Sequence, residues 1–157
     1  MRNKLNKTKS DKSTVLPAKA QVALNNAIAL HQQGNLDAAQ TVYESILKSH
    51  PKNFDALHLL GVVATQRKQY QKAATLIGTA VKIQSNNARA HYNLGLAFQE
   101  LRQFEFALQS YDEAIRLDPK YYVAHSNKAA TLKELNQLES ALQSYTTAIH
   151  LNPDLAD

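Results

Sequence analysis

"AHYNLGLAFQE", residues 90–100, returns as "AHSNKAATLKE", residues 124–134, after an interval of 34 residues and with its small residues in the same places. Written in rows of 34 from Ala20, Phe54, Ala88 and Tyr122, the whole chain after the first 19 residues falls into register. The eighth column reads Ala27, Gly61, Gly95, Ala129, and the twentieth reads Ala39, Ala73, Ala107, Ala141. The twenty-seventh is Ile46, Ala80, Ala114, Ala148. Two columns are bulky instead: Leu36, Tyr70, Phe104, Leu138 at the seventeenth and Tyr43, Ile77, Tyr111, Tyr145 at the twenty-fourth.

Columns 4, 7, 8 and 11 share one face of a helix with 3.6 residues per turn, and columns 17, 20, 24 and 27 share one face of a second. Each row is therefore predicted to be two antiparallel helices. Small residues let the backbones approach, and the bulky ones fill the space left beside the crossing. Gly34 and Asn136 suit a left-handed residue after the first helix, whereas Lys68 and Arg102 in the same column suit it less. Pro51, Pro119 and Pro153 stop the second helix, with Ser85 the exception. A helix of about 14 residues is marginal alone in water, so stability must come from stacking of neighbouring rows. The predicted class is all-α, a superhelical solenoid of four helical hairpins, residues 20–53, 54–87, 88–121 and 122–155.

Composition agrees and narrows the function. Cysteine is absent, which excludes disulfides, thiolate metal sites and cysteine nucleophiles. No apolar run approaches the roughly 18 residues that a membrane span needs, and the reading is a cytoplasmic protein without membrane attachment. The net charge of +5 lies in residues 1–19, where Arg2, Lys4, Lys7, Lys9, Lys12 and Lys19 face only Asp11. Residues 20–157 carry 12 basic and 12 acidic side chains, so the body has no excess for nucleic acid. The basic stretch, 1–19, lacks aromatics and an apolar period, and is expected to be a disordered leader.

The small residues at columns 8, 20 and 27, with Pro at 32, resemble the tetratricopeptide repeat over residues 20–155. Departures are local: column 4 holds Ala23, Leu57, His91 and His125, and column 7 carries Asn26 and Lys128 in two rows. The resemblance implies that the first helices line a groove and the second helices form the outer side.

Columns 2, 6, 9 and 13 share the groove face of the first helix. Column 6 reads Asn25, Leu59, Asn93, Asn127, although asparagine is a weak helix former. A side-chain amide can donate to a peptide carbonyl and accept from a peptide N–H. The column is similar to the asparagine ladder of O-linked N-acetylglucosamine transferase-like proteins, with Leu59 as an interruption. Asn25, His58, Arg89, Tyr92, Asn93, Leu96, Asn127 and Lys133 are the candidate peptide-binding residues, His58 and Tyr92 being placed to flank a bound side chain. The asparagines could instead bond neighbouring helices. A chaperone-tail carboxylate clamp fits poorly: each window of three rows keeps one matching residue, Arg89 in rows one to three and Asn93 in rows two to four.

No catalytic or cofactor pattern emerges. His91 and His125 share column 4 and read as packing residues; no HExxH and no phosphate-cradling glycine loop occurs. Ser126 beside His125 cannot face it on a helix. Glu100 and Glu134, both at column 13, read as a solvated ridge. The expectation is a non-catalytic module that binds an extended segment of a partner protein, without cofactor or metal. The alternative is the substrate-recruiting portion of a larger glycosyltransferase-like enzyme. Nothing after the fourth row covers its apolar face, so weak end-to-end self-association is also expected.

Overall fold

The computed structural model describes residues 16–156; the expected leader lies outside them except for its last residues, and Ala18 and Lys19 already belong to the first helix. Eight α-helices occur among the described residues: α1 Ala18–Gln32, α2 Leu36–Ser49, α3 Phe54–Gln66, α4 Tyr70–Ile83, α5 Ala88–Glu100, α6 Phe104–Leu117, α7 Tyr122–Glu134 and α8 Leu138–Leu151. A short 3₁₀ turn, Pro153–Ala156, follows. No strand is present among the described residues. The chain divides into two compact units after Asn53, the first holding α1 and α2, the second α3 to α8.

Local chemistry sets the helix ends. The residue two places after each first helix takes a left-handed φ: Gly34 at 79°, Lys68 at 58°, Arg102 at 57° and Asn136 at 58°. The turn therefore imposes this conformation on the whole column, including the two residues less suited to it. Each second helix ends at a residue with φ between −132° and −143°: His50, Gln84, Asp118, Asn152. Gln84 does so although Ser85, not proline, follows it, so the proline reinforces a stop that the fold also makes without it. Asn35 and Asn87 cap α2 and α5, each accepting from a backbone N–H three residues on.

In the first unit, α1 and α2 bury Leu24, Ala27, Ala39, Tyr43 and Ile46 between them. Burial pushes the Tyr43 hydroxyl up to about 12. In the second unit, α3–α4, α5–α6 and α7–α8 form hairpins, and α4 packs on α5 and α6 on α7. Gly61 and Gly95 make the close crossings: a Cβ on Gly61 would lie 2.4 Å from Ile77 Cγ1, and one on Gly95 2.5 Å from Tyr111 Cε1. Ala73, Ile77, Ala107, Tyr111 and Ala114 are fully buried there. Lys128, a departure from the repeat pattern, pairs with Asp112 of α6 at 2.6 Å, so charge replaces the usual packing residue.

Candidate binding face

Within the second unit the first helices of the hairpins, α3, α5 and α7, meet in sequence. Two bonds of one kind stitch them. The Asn93 amide Nδ2 donates to His58 Nε2 at 2.9 Å, and the Asn127 Nδ2 donates to the Tyr92 hydroxyl at 3.0 Å. Both join column 5 of one row to column 6 of the next, a separation of 35 residues. The sequence places a ring at column 5 and an asparagine at column 6 in the right rows, but only the stacking of rows shows that they meet.

These bonds change what the candidate residues can do. His58, expected to flank a bound side chain, is 9% exposed and lies against Phe54, with ring centroids 5.7 Å apart. Burial, and secondarily the Arg89 charge, push its pKa down to about 4. The ring is thus neutral, and accepting at Nε2 places its proton on Nδ1. Tyr92 is likewise half-buried, its ring 5.1 Å from Tyr121 and 6.0 Å from Tyr111. Burial raises its hydroxyl pKa, against a smaller lowering by the Asn127 bond. Both rings take part in the seam, His58 buried and Tyr92 half-buried.

The asparagines retain part of their capacity. Asn127 spends both N–H groups, on Tyr92 and on the Val123 carbonyl at 3.1 Å, and keeps its side-chain oxygen as an acceptor. Asn93 keeps one N–H and its oxygen beyond the His58 bond. Both are half-buried, as are Leu59, Val62, Leu96 and Ala130 in columns 6 and 9, so these residues form one partly open row across α3, α5 and α7. Arg89 and Lys133 are exposed beside it. Asn25 belongs to the first unit, is exposed, and accepts from Gln21 Nε2 at 3.1 Å.

Gln99 lies outside the candidate set and joins three helices. Its Oε1 accepts from Tyr111 at 2.8 Å and from Thr131 at 3.0 Å, joining α5 to α6 and α7 through one half-buried acceptor. His91 and His125 prove to be loop fasteners: each ring Nε2 lies within 3.1 Å of the carbonyl six residues before it, Ser85 and Pro119 respectively. Among the described residues no group of three His, Cys, Asp or Glu is placed to hold a metal ion, and no helix is long and apolar enough to cross a membrane.

Comparison with known proteins gives this arrangement its relatives. Three models described as tetratricopeptide repeat match residues 30–97, 88–121 and 110–143. No match was found among curated proteins. Among solved structures, MamA 41-end from Desulfovibrio magneticus RS-1 is 27% identical with a TM-score of 0.79, covering 86% of this chain and 76% of that one. A MamA RS-1 double mutant is 27% identical with a TM-score of 0.80, covering 87% and 76%. MamA MSR-1 is 25% identical with a TM-score of 0.75, covering 89% and 82%. Helical hairpins in 34-residue register, their small-residue crossings and these matches together make the chain a member of the tetratricopeptide repeat family.

Proposed function

We propose that this chain is a non-catalytic, cytoplasmic protein-binding module that takes an extended peptide along the face shared by α3, α5 and α7. Family membership supports the general role of a protein–protein interaction scaffold. The observation carrying the finer reading is the half-buried row of columns 6 and 9. There, apolar Leu59, Val62, Leu96 and Ala130 sit beside hydrogen-bonding capacity that the seam leaves unspent on Asn93 and Asn127. Apolar side chains with a few placed polar groups suit a peptide better than a phosphate or a nucleic acid. The comparisons do not favour the alternative of a recruiting portion of a glycosyltransferase-like enzyme.

A peptide-array screen against wild type, Asn93→Ala/Asn127→Ala and Leu96→Asp tests this reading. The asparagines also hold the seam, so each variant is first shown to be folded by circular dichroism. Leu96→Asp alters the face without touching a seam bond. Both variants are expected to lose capture of the peptides that wild type retains; unchanged capture by both, with folding intact, would refute the assignment.

Weak end-to-end self-association belongs to the same proposal. Leu138, Leu142 and Ile149 of α8 are 60%, 68% and 39% exposed, whereas at the matching columns of α4, which packs on α5, Ala74 is buried and Tyr70 and Val81 are half-buried. Sedimentation velocity over a wide concentration range should show a rising average mass that Leu142→Glu suppresses; a single monomeric species throughout would remove the idea.

A further inference from the structure

Helices α5 and α7 end at Glu100 and Glu134, and a cavity of about 400 Å³ opens there, lined by Gln99, Glu100, Arg102, Phe104, Ala130 and Glu134. Its walls favour positive charge for three separate reasons. Two carboxylates border one small opening. The C-terminal ends of two helices add the negative ends of their dipoles. The Phe104 ring offers a π face on which a cation rests well.

A cation already rests on it. The Arg102 guanidinium carbon lies 5.1 Å from the Phe104 centroid, and its Nη2 lies 3.8 Å from a Glu134 oxygen. That hold is loose: the ion pair is long, and the two side chains are 75% and 53% exposed. Arg102 also stands in the left-handed conformation that Gly34 and Asn136 fill more easily in their rows. Glu100 accepts a hydrogen bond from the Tyr70 hydroxyl. Arg102 alone among the lining residues is positively charged, so moving it aside leaves two carboxylates facing an empty ring.

We propose that this cavity is a subsite for one arginine side chain of a bound polypeptide, seated between Glu100 and Glu134 against Phe104, and that Arg102 is the native side chain it displaces. An arginine fits better than a lysine, because a planar guanidinium stacks on a ring while its fork meets carboxylates. The inference rests on the peptide-binding reading above: Glu100 stands two turns along α5 from Asn93 on the same face, so the cavity borders the face on which the chain is laid.

The test uses the full chain, uniformly ¹⁵N-labelled, and two amidated, acetylated heptapeptides of alanine, one with a central arginine and the other with citrulline, its uncharged isostere. The arginine peptide should shift the amide signals of Gln99, Phe104 and Glu134 and bind about fivefold or more tightly than the citrulline peptide. Glu100→Gln/Glu134→Gln, on exposed side chains, should abolish that preference. Arg102→Gly should strengthen arginine binding about threefold or more and raise the melting temperature, since it removes both the competitor and the left-handed strain. Equal binding of the two peptides, a preference that survives the double glutamine variant, or no binding of either would overturn the subsite. Asn93→Ala/Asn127→Ala separates the two readings. If it weakens both peptides while they bind equally, the face stands and the subsite falls; if it weakens neither while the arginine preference persists, the subsite stands and the face falls.

Discussion

The hairpin interiors of the second unit and the seam between its first helices are held by different chemistry. At the interiors, Gly61 meets Ile77 and Gly95 meets Tyr111 across distances that no added methyl would fit without displacement. At the seam, His58 meets Asn93 and Tyr92 meets Asn127 through single hydrogen bonds. Interiors are chosen by volume, and any residue of the right size serves. Seams are chosen by donor and acceptor, so a change in one row must be answered in the next. The difference implies that the interiors supply most of the stability, while the seam fixes how successive hairpins register and which polar atoms remain for a ligand.

That division is most directly broken at Tyr111, fully buried with its hydroxyl on Gln99. Tyr111→Ala removes a large side chain from a close crossing and should cost about 4 kcal/mol. Gln99 keeps Thr131 as a donor, so little of the loss comes from an orphaned acceptor. Urea unfolding reads the value, and a loss below about 1 kcal/mol would show that the interiors do not dominate. Ala107→Leu tests the same region by excess rather than deficit. Ala107 is 0% exposed, and overpacking it should cost up to about 3 kcal/mol; an unchanged melting temperature would mean that the small-residue column is not a crossing.

The contrast also explains what could be read from sequence. A volume pattern repeats in every row, so Ala73, Ala107 and Ala141 announce the crossing without any structure. A hydrogen-bonded seam needs two different columns from two different rows. Its partners vary, His58 with Asn93 but Tyr92 with Asn127, and no single column shows the rule. For that reason column 6 was legible as unusual in its asparagines, while the use of their amides was not. Column 5 reads as groove-facing because helical geometry gives a direction, while only the stacked rows show how deep His58 lies. Arg102 shows a third case. Its column was recognised as a left-handed position, yet the guanidinium lands on Phe104 and beside Glu134 only because α5 and α7 end together. Lys128 is similar: an anomaly at a packing column until Asp112 is brought opposite it.

The seam can be probed without touching the interiors, because His58 titrates in the acid range, whereas burial moves the Tyr111 hydroxyl further above its ordinary value. Its folded pKa is about 4 against an ordinary 6.5, a depression caused first by burial and then by the charge of Arg89. The unfolded chain therefore binds a proton at His58 that the folded chain refuses between those two values. Stability from this group is complete above pH 6.5 and is lost as pH falls toward 4, below which the loss levels off. Between pH 7 and pH 5 the contribution amounts to about 2 kcal/mol. His58→Gln keeps an acceptor for the Asn93 amide but cannot be protonated, so its stability should fall by about 2 kcal/mol less than that of wild type over the same interval. Urea unfolding of the two proteins at both pH values isolates the difference, since the other five histidines are common to both. Parallel losses would show that His58 is open to water and that the polar seam does not exclude it. A divergence of the expected size would show that the bond to Asn93 lies in a closed joint between α3 and α5, leaving only the outward atoms of Asn93 for a ligand.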